Sequence, residues 1–355
     1  MKKKVLISTG GSGGHVIPAI TIYDHLKSNY ETFISTDIRG LKYFNRENYK
    51  SFIINTPKFN NLLLLPWTVL RVFLLTIKSL IILKKKDISI LISTGGYMSL
   101  PLCLAAKILN IKIYLIEPNR VVGRANRYFL NFAEKLICYS KNLVNLPKKF
   151  EQKQVLIKPL IRKEYYENNN YQKEDNLFTI IIVGGSQGAK IFDTLIHEIF
   201  VNISKSYPIK VIHQTSKKNT KSLEKFYTDH KIKNKVFSFD KNLNVLLKQS
   251  DLCITRSGAS SLAELSLLRI PFISIPLPSS KDNHQYENAK YYEDKDCCWI
   301  FNQNDFDKPK FEELLAKISV KKGEYLIKKK NLENLNYQNT WNNVNQNLLE
   351  IFNGN

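Results

Sequence analysis

Acidic side chains are scarce in this chain: 31 Asp and Glu face 53 Lys and Arg over 355 residues, a formal net charge of +22. Such a field favours anionic partners, whether nucleic acid, phosphorylated substrates or an acidic membrane surface. An Asn-, Ile- and Lys-heavy composition with solvated lysines produces the same excess, so charge alone does not choose among them. Cysteine is sparse too. Cys103, Cys138, Cys253, Cys297 and Cys298 are odd in number, scattered, and without a CxxC pair or zinc-like spacing. That excludes a disulfide framework and suits a reducing cytoplasm. The start, MKKKVLISTGG, has only a short apolar run before its glycines, which rules against a secretory signal. A face of Arg and Lys interleaved with exposed aromatics is missing, which argues against a nucleic-acid partner.

What is present is alternation. Residues 5–9 form a short β-type run that breaks into Gly10-Gly11-Ser12-Gly13-Gly14, and 15–26 then read as a helix with Pro18 tolerated in its first turn. Further strands are expected at 32–36, 51–55, 88–93, 113–117 and 135–139. Residues 168–176 are polar and aperiodic, as a linker is. The opening pattern then repeats: an apolar strand at 178–183, the turn Gly184-Gly185-Ser186-Gln187-Gly188, and a helix over 189–204. Strands at 209–214, 236–239, 252–255, 271–275 and 298–301 complete a second unit, with a helical tail from 311. The pattern predicts an α/β chain of two Rossmann-like domains facing across a cleft, with ligands at the carboxyl ends of the strands. The first domain is placed at 1–162, a linker at 163–176, and the second domain at 177–335. A C-terminal helix at 336–355 is expected to return to the first domain.

Glycines between a strand and a helix let backbone approach a ligand, and the first helical amides attract anionic oxygens. Taken singly, GGSGG and GGSQG are also what any tight strand-to-helix turn would use. The first lacks strict GxGxxG spacing, and Asp37 is the one candidate for the acidic residue that follows the second strand of a dinucleotide fold. This argues against a nicotinamide dehydrogenase. The most informative stretch is 255–289, TRSGASSLAELSLLRIPFISIPLPSSKDNHQYENA. Gly258 and Ala259 open a helix, and Glu264 on its second turn can accept two hydrogen bonds from a ribose diol. His284 and Gln285, after the next strand, suit sugar hydroxyls. Singly, Glu264 reads equally as an exposed helix residue and His284 as a surface turn; their order together is harder to explain that way.

The run RSGASSLAE…P…P…KDNHQYENA resembles the UDP-sugar signature of the MurG family of glycosyltransferases. Other matches follow in chain order. GGSGGH (residues 10–15) has Ser12 where Thr is usual, and GGYMSLP (95–101) has Leu100 for a glycine. EPNRVVGRANR (117–127) has Pro118 within a segment usually written EQN, and KPLIR (158–162) loosely matches a GNPVR-like segment. GGSQGA (184–189) matches fully, while HQTS (213–216) ends in Ser for Gly. The resemblance implies a fold of the GT-B kind, direct inversion at the anomeric carbon, no cofactor and no essential metal; no DxD pair is placed as a metal clamp. It implies binding of UDP-N-acetylglucosamine by Ser12, Gly13, Gly14, Asn119, Arg162, Ser186, Gln187 and Gly188, then by Arg256, Gly258, Ala259, Ser260, Ser261, Leu262, Ala263 and Glu264, and by His284 and Gln285. The acceptor, lipid I, would place its pyrophosphate on Gly13, Gly14, Gly95, Gly96 and Tyr97. An alcohol nucleophile needs a base, and His15 leads, since a helix N-terminus disfavours the imidazolium. A capping or phosphate-binding role for His15 is the alternative.

Residues 62–83, LLLLPWTVLRVFLLTIKSLIIL, are long enough to span a bilayer. Arg71 and Lys78 lie inside the run and Pro66 interrupts it, so an amphipathic helix lying on an anionic membrane, flanked by Lys84, Lys85 and Lys86, fits better. The competing reading is a helix packed wholly on its own sheet. The functional expectation is a peripheral enzyme at the cytoplasmic face of the bacterial membrane that makes lipid II for peptidoglycan. Its rivals are a diacylglycerol glucosyltransferase, a UDP-N-acetylglucosamine 2-epimerase, or a non-catalytic nucleic-acid binder.

Overall fold

The computed structural model describes residues 2–57, 64–167, 175–184 and 190–353. The chain divides into two compact units, one of Met1–Arg162 with Thr340–Asn355 and the other of Lys163–Asn339. The first unit runs β1 (Lys4–Ser8), α1 (Gly13–Leu26), β2 (Glu31–Thr36), β3 (Ser51–Ile53), α2 (Leu65–Lys85), β4 (Ile90–Ser93), α3 (Leu100–Ile108), β5 (Lys112–Glu117), α4 (Arg124–Phe129), β6 (Ala133–Cys138) and β7 (Gln154–Leu156). Its sheet is parallel in the order β3-β2-β1-β4-β5-β6-β7. The order reverses between β1 and β4, which opens a crevice at their carboxyl ends. Alternate residues of β1 feed two cores: Val5 and Ile7 pack with α1, Leu6 with the opposite layer. Burial on both faces is why these strands read as unbroken apolar runs.

Several boundaries differ from the sequence expectation, among them the helix expected over 189–204, which is broken at Ile196 into two, Lys190–Leu195 and His197–Ser206. The first helix begins at Gly13, two residues early, because Ser12 takes the extended N-cap conformation (φ −102°, ψ 163°); His15 therefore lies inside the first turn. The strand expected at 135–139 starts at Ala133, and β7 was not anticipated, being three half-exposed residues with no apolar alternation. The residues expected to be linker are partly docked: Tyr165 is buried in the second unit, and Lys248 Nζ donates to the Glu167 carbonyl at 2.6 Å.

Helix α2 is built inside out. It buries Thr68, Val72, Thr76, Ser79 and Leu83 and leaves Trp67, Phe73 and Leu74 more than half exposed, with Leu64, Leu65, Val69, Leu70, Ile77 and Ile81 also in solvent. The buried hydroxyls cost little, because Thr76 and Ser79 donate back to the carbonyls of Val72 and Leu75, each at 2.8 Å. Small side chains let α2 lie close to α3. Among the described residues, α2 is the one helix long and apolar enough to cross a membrane, by length and composition alone. Leu62 and Leu63 lie outside the described residues.

The second unit follows the same plan: β8 (Phe178–Val183), α5 (Lys190–Leu195), α6 (His197–Ser206), β9 (Ile209–Gln214), α7 (Thr220–Asp229), β10 (Lys233–Phe237), α8 (Leu243–Lys248), β11 (Leu252–Thr255), α9 (Ala259–Leu267), β12 (Phe272–Ser274), α10 (His284–Glu293), β13 (Cys298–Ile300), α11 (Lys308–Ser319) and α12 (Glu324–Leu335). Its parallel order, β10-β9-β8-β11-β12-β13, reverses between β8 and β11. The strand expected at 236–239 is displaced to Lys233–Phe237, because its edge position beside β9 asks for pairing and not burial. All five cysteines are free, buried thiols.

The last helix, α13 (Trp341–Asn353), belongs to the first unit, where Val344, Leu348 and Phe352 join the core on the α1 side. Tyr30 donates to Asn353 Oδ1 at 2.6 Å, and Trp341 stacks on His25, centroids 3.6 Å apart and planes 19° apart. His25 is 2% exposed, and burial pushes its pKa down from 6.5 to about 4. Below about pH 6.5 the unfolded chain takes up a proton that the folded chain refuses. This contribution to stability is whole above that pH and drains away down to about pH 4, a difference of about 3 kcal/mol. His25→Phe should therefore flatten the loss of stability between pH 6.5 and 4 in denaturant titrations; an unchanged slope would assign the effect to another group.

Candidate active site

In the first unit three strand exits converge at the reversal point. Thr94, just past β4, donates its amide to the Ser8 carbonyl at 3.1 Å and its hydroxyl to Thr9 Oγ1 at 2.9 Å, so the two glycine loops lie side by side. Gly11, Gly95 and Gly96 hold φ of +84°, +83° and +77°, a region where a Cβ is strained. His15 Nδ1 lies 2.7 Å from the Thr94 carbonyl. A carbonyl only accepts, so Nδ1 carries the proton and Nε2 is the basic nitrogen of the neutral ring. A Cβ at Gly96 would stand 3.4 Å from that Nε2. Gly13 and Gly14 open α1 with first-turn amides that have no intrahelical acceptor. Gly13 is packed, its Cβ position 3.0 Å from Tyr43, whereas Gly14 is exposed.

Asp37 does not do what its place after β2 suggested. Its Oδ1 accepts from the amides of Gly11 and Gly40, both at 2.9 Å, and its Oδ2 from Arg39 Nε at 2.7 Å. Burial pushes its carboxyl up, but the two amides and the guanidinium outweigh that and hold it below the usual carboxylate range. Its oxygens brace the first glycine loop, so it is not the ribose ligand of a dinucleotide fold. Arg39 passes on to Tyr97, whose hydroxyl oxygen accepts from Nη2.

Glu117, at the end of β5, is a second buried carboxylate. It accepts from the amide and side chain of Asn119 (3.2 and 3.1 Å), the Gly123 amide (2.7 Å) and Asn126 Nδ2 (3.0 Å). Burial pushes its carboxyl up against these bonds. The contact fixes which way the Asn119 amide faces. Asn126 reaches the second loop, since a Cβ on Gly95 would meet its side-chain amide at 3.2 Å. Arg162 sits half-buried at the end of the first unit's main segment.

In the second unit the loop after β8 holds Ser186, Gln187 and Gly188, which lie outside the described residues. Its frame is described. Asp193 on α5 accepts from Thr215 (2.6 Å) and Asn219 (2.8 Å) and faces buried His213 at 3.4 Å. Despite burial, these groups hold its carboxyl low. Beyond β11, Gly258 caps α9, and the first-turn amides of Ala259, Ser260 and Ser261 face outward along the helix axis. Leu262, Ala263 and Glu264 are buried; Glu264, at 6% exposure, is not a surface helix residue. Arg256 is spent internally: Nη1 donates to the carbonyls of Ile275 (2.9 Å) and Pro276 (3.1 Å), and Nη2 to Gln303 (2.7 Å). It shapes the loop after β12. That loop ends in Asp282 and Asn283, both with φ above +50°, which turn the chain into α10. Gln285 Oε1 accepts from the amides of Ser257 (3.3 Å) and Leu277 (2.9 Å). Its NH₂ group is thereby the end left to meet a ligand, as a donor only. His284 Nδ1 donates to the Lys281 carbonyl at 2.8 Å, directing Nε2 the other way.

Residues 5–138 match the glycosyltransferase family 28 N-terminal domain and residues 179–341 its C-terminal domain. A relative from Pelagibacter ubique (strain HTCC1062), a UDP-N-acetylglucosamine–N-acetylmuramyl-(pentapeptide) pyrophosphoryl-undecaprenol N-acetylglucosamine transferase, is 46% identical over 356 residues, covering 100% of both chains. The chain belongs to the MurG family. The crystal structure of Acinetobacter baumannii MurG superposes with a TM-score of 0.75 at 20% identity, over 98% of this chain and 99% of that one. The fold is shared more widely: a Neisseria meningitidis UDP-GlcNAc 2-epimerase, bound to UDP-GlcNAc, gives 0.69 at 14% identity, over 99% and 100%. One departure from the MurG pattern has a plain reason. Leu100, in place of glycine, adopts helical φ −53° at the start of α3, where no glycine is needed.

Sequence reasoning named the loops, His15 and Glu264, and did not single out Arg39, Glu117, Asn126, Asp193 and Gln303. Their only signal was position: Glu117 ends β5, Arg39 and Gln303 lie three residues past β2 and β13, and Asn126 and Asp193 sit on the helix after a strand. Gly96→Ala should lower folding stability by about 1–2 kcal/mol through its positive φ. It should also reduce turnover by crowding His15 Nε2. Denaturant unfolding and steady-state assays would measure both, and a neutral substitution would remove the packing argument.

Proposed function

We propose that this chain transfers N-acetylglucosamine from UDP-N-acetylglucosamine to the C4 hydroxyl of the N-acetylmuramyl group of lipid I, giving lipid II with inversion at the anomeric carbon. The observation that carries the reading is His15, fixed in the Nδ1–H tautomer at the β1/β4 reversal point. The hydroxyl oxygen attacks the anomeric carbon, its proton passes to Nε2, and the bond to the UDP oxygen breaks. Nδ1 keeps its hydrogen bond to Thr94 throughout, so protonation needs no rearrangement of the ring. On the donor side, Glu264 takes the ribose diol, the first amides of α9 meet the departing phosphate, and the Gln285 amide donates to the sugar. His15→Ala should lower kcat by about 10²–10⁴-fold while UDP affinity stays within twofold. Full kcat with a raised acceptor KM would make His15 a phosphate ligand. UDP release without any need for lipid I would instead favour an epimerase-like reading.

The acceptor's polyprenyl chain stays in the bilayer, so the enzyme must come to the membrane. The exposed Trp67, Leu70, Phe73 and Leu74 of α2 supply an apolar face, and Arg71, Lys78, Lys84, Lys85 and Lys86 an exposed basic rim. Arg71 lies over the Trp67 ring at 5.9 Å. Both features support a peripheral enzyme held at the cytoplasmic face of the membrane. Each basic residue near an anionic surface adds about 1 kcal/mol, screened by salt, while the apolar contact is not screened. Sedimentation with anionic liposomes should fall as salt rises without vanishing, and Trp67→Glu with Phe73→Glu should abolish it. Untouched binding in that double variant would move the membrane face elsewhere.

A further inference from the structure

We propose that Arg39 is the cation that receives the acceptor's diphosphate. The proposal rests on the reading above and adds a residue to it. Arg39 leaves β2 beside the two glycine loops, so the exits of β2, β1 and β4 meet around its guanidinium. A Cβ built on Gly11 would stand 3.5 Å from Nη2, which places the charge directly over the first loop. The second loop touches it through Tyr97 and through Met98 Sδ at 3.5 Å.

An arginine–carboxylate pair is frequently bidentate, two parallel N–H donors of one guanidinium edge meeting both carboxylate oxygens. Here Asp37 spends Oδ1 on the Gly11 and Gly40 amides and gives only Oδ2 to Nε. The carboxylate side chain is 5% exposed and the guanidinium side chain 40%. The pair is formally neutral, but with the carboxylate buried and the guanidinium exposed it turns its positive end outward. Tyr97 completes it: because its oxygen accepts from Arg39, its hydroxyl proton is directed away from Arg39 as a further donor. Asp37 thus aims the arginine, and the glycine loops leave room for anionic oxygens to reach it. Lysine would keep the charge without the planar fork.

Steady-state kinetics of the full-length protein with a short-chain lipid I analogue, and with a matched analogue carrying one phosphate, test this. R39M should raise the KM for the diphosphate acceptor about 10–100-fold, with donor KM within twofold and R39K in between. The preference of wild type for diphosphate over monophosphate should collapse in R39M. Unchanged acceptor KM in both variants, or an equal loss on both acceptors, overturns the proposal. If R39M fails to melt like wild type, R39K alone decides, by whether it weakens the diphosphate preference. A wild type that does not use the diphosphate acceptor at all would overturn the transferase reading and this proposal with it, whereas an active wild type with indifferent variants removes Arg39 alone.

Discussion

The hydrogen bond from His15 to the Thr94 carbonyl requires nearly everything else in the first unit to be where it is. β1 and β4 must be neighbours, which sets the strand order; α1 must begin at Gly13, which puts residue 15 on the first turn; and residue 96 must lack a side chain. The bond then decides a chemical question, which ring nitrogen holds a proton, through a backbone carbonyl. A backbone carbonyl is a weaker partner than an aspartate, but it brings no charge into a place where anionic substrate is expected.

Two buried carboxylates frame this bond and behave in opposite ways. Asp37 has a cation and two amides, and its carboxyl is held low; Glu117 has only neutral donors, and burial carries it up. The difference lies in the partner charge. The first braces one glycine loop and aims an arginine. The second reaches Asn126, which packs beneath the other loop. Neither side chain needs to touch a substrate to matter. In the second unit Asp193 does similar work for the helix that follows the β8 loop.

The strand–glycine–helix repeats were legible because a parallel sheet buried on both faces writes itself as apolar runs ending in glycine. Glu264 was legible through its spacing from Gly258. Edge strands were legible unevenly: β3 and β13 were expected, β10 was placed three residues late, and β7, short and half-exposed, carries no apolar pattern. Asp37 stayed a bare candidate because the acid after the second strand looks the same whether it binds ribose or its own backbone. Only the loop's fold, brought back by β1, tells them apart. Arg256 and Gln285 were named as donor-binding residues by resemblance, yet the direction of their hydrogen bonds depends on the loops after β11, β12 and β13.

The seam between α1 and α13 has a temporal meaning. Residues 25 and 341 stack against each other, and Tyr30 waits for Asn353. A chain emerging from the ribosome completes the first sheet early, with the apolar face of α2 already made, but lacks the strip of core that Val344, Leu348 and Phe352 supply. Until synthesis has passed through the whole second unit, the first stays unsealed on its α1 side. A product cut short anywhere before α13 would carry that open seam, a built-in mark by which proteases could tell an unfinished copy from a finished one.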